Sequence, residues 1–122
     1  MTIDERIDEA AQNYLESLIP WESGARVQTE RVIGLAFVAC PEARVTVSYG
    51  IACIVAGKRR LYVGAWQHGL SLYGWSADRD AGFASRHRDL RSGKATLRLP
   101  PGVLKAMPDQ ELQEFVAATL AP

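Results

Sequence analysis

The sequence predicts an α+β domain: one antiparallel sheet of about five strands, with amino-terminal and carboxy-terminal helices packed on one face. Three observations carry this. Apolar residues at three- and four-residue spacing open and close the chain, with Ile3, Ile7, Ala11, Tyr14 and Leu18 at one end and Leu112, Phe115, Val116 and Leu120 at the other. Between Arg44 and Trp75 the pattern changes to short β-rich stretches separated by glycine-containing turns. At 122 residues the chain makes one domain that can bury a core without a staple.

The first helix is expected over residues 3–18 and ends at Pro20, which cannot continue the hydrogen-bond ladder. A second should start near Ser23, a capping residue, and stop before Pro41. "RVTVSY" alternates as a half-buried strand does, "IACIVA" follows Gly50, and "GKRR" turns the chain into "LYVGAWQ". With His68 and Gly69 as a two-residue hairpin turn, Gln67 would oppose Leu70, Ala65 would oppose Leu72 and Val63 would oppose Gly74. That pairing puts Leu61, Val63, Ala65, Leu70 and Leu72 on a core face and Tyr62, Trp66, Ser71, Tyr73 and Trp75 on the other. It also sets Tyr73 opposite Gly64, where a ring covers bare backbone.

Residues 76–90 read as a short polar helix or loop anchored by Phe83 and Leu90. "KATLRL" is a last strand with Leu97 and Leu99 inward and Thr96 and Arg98 outward, "PPG" breaks the chain, and a final helix starts near Asp109.

Composition narrows the function classes. Apolar residues make up 48% and charged residues 23%, the balance of a soluble globular protein rather than a disordered one. Basic and acidic residues number 14 each, so the formal net charge is zero and a duplex nucleic acid partner is not expected. The longest apolar run, Val32 to Cys40, is too short to cross a bilayer, and the acidic start lacks a signal layout. Cys40 and Cys53 sit among apolar neighbours and read as two buried thiols, which points to a cytoplasmic protein with no membrane partner.

The segments "EARVTVSYGI", "RRLYVGAWQHGLSLY", "RSGKATLRL" and "LQEFVAATL", in this order, are similar to the YdhG-like domain family over residues 12–120. Residues 1–11 would then be an amino-terminal helical extension. Ala52 stands where the family usually has proline, and Ala95 where it has the second glycine of "GKGT". The family includes an intracellular iron chaperone with a frataxin-like shape. The resemblance therefore implies a frataxin-like architecture with an exposed sheet, weak iron binding by acidic groups near the first helix, delivery to a partner docked on the sheet, and no enzymatic mechanism. No tightly bound cofactor is expected.

The residues themselves offer two candidate sites. Asp4 with Asp8, and Glu5 with Glu9, are four apart and on a helix would be neighbours able to offer oxygens to a hard cation such as iron. Acidic residues in a first helical turn are equally favoured by the helix dipole, and these lie outside the stretch that resembles the family. The outward aromatic set, Tyr62, Trp66, Tyr73 and Trp75, with Arg98 and Thr96 alongside, has the composition of an interaction hot spot for a protein partner or small ligand. It also resembles the stacking platforms of single-strand binders, a use against which the overall charge balance argues. The competing expectation is that residues 76–90 fold over this face and bury it.

His68, which with Tyr73 matches the family's "H-x-x-x-Y", would join the face or simply occupy a turn. Lys94, in "SGK", would meet an anion or cap a loop. No G-x-S-x-G elbow, P-loop or C-x-x-C spacing supports catalysis or a structural zinc. Oligomeric state is left open by the sequence.

Overall fold

The computed structural model describes residues 4–18, 24–66, 69–93 and 95–122. Helix α1 (Glu9–Ser17) begins later than its apolar spacing suggests, because the Asp8 carboxylate accepts the Ala11 amide at 2.9 Å and caps it there. Residues 4–7 are not helical. The Ile7 amide bonds the Asp4 carbonyl at 3.0 Å, and Ile7 then bridges in parallel to Val45. Over residues 4–7 the expected helix is therefore corrected to a turn and an edge bridge, while Ile3 lies outside the described residues.

Helix α2 (Ala25–Ala39) starts at Gly24, which has a φ of 75°, and stops just before Pro41; Ser23 lies outside the described residues. Strands β1 (Arg44–Ser48), β2 (Ile51–Ala56), β3 (Arg59–Trp66) and β4 (Gly69–Tyr73) follow as an antiparallel meander. After them come α3 (Phe83–Arg86), a 3-10 turn (Arg88–Leu90), β5 (Arg91–Ser92), β6 (Thr96–Leu99), α4 (Pro101–Ala106) and α5 (Asp109–Leu120). The sheet has six strands in the order β1-β2-β3-β4-β6-β5, every pair antiparallel. The sixth, β5, is two residues long, too short to show a periodicity. Helix α4 grows out of the "PPG" break, with Pro101 in its first turn, where a missing amide hydrogen costs no bond.

The β3–β4 register differs from expectation. Trp66 pairs with Gly69, Ala65 with Leu70 and Val63 with Leu72, so Gly69 belongs to β4 and not to the turn. The offset is two residues, and an even offset leaves the side chains within β3 and β4 on their expected faces.

Leu61, Val63, Ala65, Leu70, Leu72, Leu97 and Leu99 are all buried and share one cluster with Ala11 and Leu15 of α1, Val32, Ile33 and Ala36 of α2, and Leu112, Phe115, Val116 and Leu120 of α5. These helices thus pack on that face. Full burial of one such large apolar side chain contributes roughly 1.5–3 kcal/mol, against about 0–1 kcal/mol for an exposed ion pair, so this layer holds the fold.

One polar side chain ties the helical layer together. Arg31 of α2 bonds the Leu104 and Met107 carbonyls at 2.8 and 2.6 Å and pairs with Asp109 at 2.6 Å, joining the end of α4 to the start of α5. Both cysteines are free thiols; Cys53 is buried, and burial raises its pKa, while Cys40 is half-buried. No helix among the described residues is long and apolar enough to cross a membrane.

Candidate binding face on the open sheet

The outward side of the sheet is built by alternation. Tyr62 of β3 pairs with Tyr73 of β4 and with Cys53 of β2, Ser71 of β4 pairs with Gly64 and Arg98, and Trp66 ends β3 opposite Gly69. None of these side chains belongs to the cluster beneath the helices.

At one end the β1–β2 hairpin closes through Tyr49 and Gly50, whose φ values are 55° and 76°. Two consecutive positive φ angles match the twist of a tight hairpin, but the first falls on a bulky residue that strongly disfavours it. The Tyr49 ring is 89% exposed and stands 5.9 Å from the Tyr62 ring, edge-on at 60°. Together Tyr49, Ile51, Tyr62, Tyr73 and Gly74 line an open depression of about 580 Å³.

Glycines under the rings make room for this arrangement. A Cβ on Gly64 would sit 3.7 Å from Tyr73 Cε2, and one on Gly74 would sit 3.2 Å from Tyr62 Cδ2. Each tyrosine therefore leans over bare backbone.

A second, smaller hollow of about 80 Å³ is lined by Trp66, Gly69, Leu70, Ser71 and Arg98. The Arg98 guanidinium carbon lies 5.3 Å from the Trp66 ring centre, within cation–π range. The Ser71 hydroxyl in this lining is buried and has no hydrogen-bond partner among the described residues. Gly69 is required here: at its φ of 119°, a Cβ would lie 2.1 Å from the Leu99 carbonyl oxygen.

The outward strand positions carry Arg44, Arg60 and Arg98 and no aspartate or glutamate. At the β1 edge the signs mix: Glu5, Asp8 and Glu42 line a further depression with Arg6 and Arg44.

On the outward side Tyr62 lies beside Tyr73 and Trp66 beside Arg98, with Tyr62 and Tyr73 half-buried and Trp66 and Arg98 exposed. Trp75 is a correction. Gly74, at a φ of 89°, turns the chain out of β4, and Trp75 drops into the core with its indole N–H donated to the Leu72 carbonyl at 3.0 Å. His68 and Lys94 lie outside the described residues.

Residues 76–90 do not cover the face. Phe83 packs 4.8 Å from Phe115 on the helical side, His87 pairs with Glu111 of α5, and Arg79 donates to the Ala121 carbonyl. Sequence reasoning missed Tyr49, Ile51 and Arg60. The available signal was the complete lack of Asp and Glu between Glu42 and Asp78, a stretch that holds four basic residues, Arg44, Lys58, Arg59 and Arg60.

The corrected helix start breaks the expected pairing of the acidic set. Both Asp4 carboxylate oxygens accept from Arg6, at 2.9 and 2.7 Å, and this holds the Asp4 pKa down to about 2. Asp8 is the cap of α1, Glu9 lies in its first turn, and Glu5 stands exposed in the preceding turn. The helical i, i+4 pairs Asp4–Asp8 and Glu5–Glu9 therefore do not form. Among the described residues, no three His, Cys, Asp or Glu side chains converge as a metal-ligand group.

No protein-family model matches this chain, and it has no significant match among curated proteins or solved structures.

Proposed function

We propose that this protein is a non-enzymatic binding module whose ligand or protein partner seats on the open sheet face. The observation that carries this reading is the pair of outward hollows built on Tyr49, Tyr62, Tyr73, Trp66 and Arg98, which neither the helices nor residues 76–90 cover. An exposed tyrosine held at positive φ fits the same reading, since such strain concentrates at binding sites. Iron delivery, the role the YdhG-like resemblance implies, draws less support because Asp4 and Asp8 already serve as ion-pair partner and helix cap.

The test is an amide NMR titration with indole and 4-methylphenol as aromatic probes. Shifts confined to Tyr49, Ile51, Tyr62, Tyr73 and Trp66 are expected, and a spectrum unperturbed at these positions would sink the reading. Ferrous iron added anaerobically to the same sample reports on the other role, through broadening near Asp4, Glu5, Asp8 and Glu9.

A further inference from the structure

Building on that reading, we propose that the occupant of the sheet face is single-stranded nucleic acid. The chain as a whole is neutral, but its charges are segregated: no strand of the sheet contains an acidic residue, and the outward positions offer only arginines. The zero net charge that argues against a polyanion partner is thus an average over a basic sheet face and acidic residues placed in the helices, loops and terminal segment.

The aromatic groups are placed to complement that charge. Tyr62 and Tyr73 lie side by side on the central strands, and Trp66 is four residues further along β3, about 13 Å away at the usual strand rise. A single strand laid along β3 would meet a ring at each end of this path. Arg60 precedes Tyr62 by two residues on the same face, and Arg98 stacks beside Trp66, so each ring has a cation within reach of a flanking phosphate.

Rings on a sheet read unstacked bases and find no base faces to stack on in a duplex, so the single-stranded form is selected. An acidic peptide would satisfy the arginines but leave the ring faces without matching planes.

The experiment is fluorescence anisotropy with fluorescein-labelled oligo(U) and oligo(dT) of about ten nucleotides, a duplex of equal length, and a labelled polyglutamate peptide. Single strands should bind more tightly than either control. Their log–log salt dependence between about 50 and about 200 mM should have a slope of roughly −1.4 to −2.1, as two or three phosphate contacts require.

Tyr49→Asn removes an exposed ring and suits the turn, so the variant folds; it should weaken binding by about 5- to 100-fold. Arg98→Glu and Arg60→Glu, both at exposed positions, should each lower affinity and flatten the salt slope by about 0.7. Equal binding to polyglutamate or to the duplex overturns the proposal, as does an unchanged affinity in all three variants. If oligonucleotides fail to bind while indole still shifts the face, the nucleic-acid assignment fails and the binding-face reading stands. If indole also leaves the face unperturbed, both fail.

Discussion

Tyr62 and Tyr73 are direct cross-strand partners, and each leans over a glycine on the other's side of the pair, Tyr62 over Gly74 and Tyr73 over Gly64. The two glycines are not equivalent. Gly64 has ordinary backbone, and an added Cβ would meet its nearest neighbour, Ile51, at 3.5 Å; at Gly74 it would strike the Arg60 carbonyl oxygen at 2.7 Å under a φ of 89°. Gly64→Ala should therefore change stability by less than about 1 kcal/mol, and Gly74→Ala should cost about 2–5 kcal/mol. Urea denaturation of the two variants checks the contrast.

The two described tryptophans should separate just as clearly. Trp75 is buried and hydrogen-bonded, so Trp75→Ala should destabilise by about 3–5 kcal/mol. Trp66, 37% exposed at the end of its strand, should cost about 1 kcal/mol or less when replaced by alanine. A Trp66→Ala variant that stays folded yet loses the indole-induced shifts would assign that ring to recognition. Unfolding would assign it to the core.

Tyr49 holds a conformation that asparagine tolerates better. Tyr49→Asn should raise stability by about 0.5–1 kcal/mol while weakening whatever the face binds. A stability gain with unchanged binding would show the strain to be unconnected with recognition. The midpoint of thermal unfolding reads the first effect and a titration the second.

Arg31 should matter far more than its ion-pair partner. Its side chain is 20% exposed and serves two carbonyls as well as Asp109, whose side chain is 72% exposed. Arg31→Met should cost about 2–3 kcal/mol, because the carbonyls at the end of α4 lose a charged donor. Asp109→Asn should cost under about 1 kcal/mol, because water screens the pair. Equal losses would mean that the ion pair, not the carbonyl contacts, joins α4 to α5.

A pH dependence follows from Glu111. Its hydrogen bond from His87, assisted by the nearby His87 and Arg86 charges, lowers its pKa below the ordinary carboxyl value of 4.5. A depressed folded pKa means that stabilisation is present above that value and is lost as pH falls through the folded one. The stability difference between the native chain and Glu111→Gln should therefore be constant at pH 5 to 6 and shrink below about 4.5. A difference that grows on acidification would reverse the sign and refute the assignment.

The two faces of the sheet were legible from the sequence because a period of two survives any even error in register. That is why Leu61, Val63 and Leu72 fall inward under either register. The register itself was not legible. Gly69 resembles a turn glycine, yet its missing side chain is required by the approach of the Leu99 carbonyl, a contact distant in sequence. Trp75 was misplaced because alternation was carried past Gly74, where the chain leaves the strand. The first helix was drawn too long because Ile3 and Ile7 fit its spacing, while the stronger local signal was Asp8 as a cap. Tyr49 belonged to the face only once the hairpin had folded it against Tyr62.

The parallel bridge between Ile7 and Val45 lays the amino-terminal segment along the outer margin of β1. Its backbone takes the Val45 amide and carbonyl that would otherwise present a template to another chain, and Arg6 locks it down against Asp4, the Pro41 carbonyl and the Phe37 ring. At the opposite margin, β5 is two residues long and offers little to extend. The β1 margin is thus shielded by a short strap that the Val45 bridge, Arg6 and the packing of Ile7 against the core hold in place, and peeling it away would expose a sticky edge.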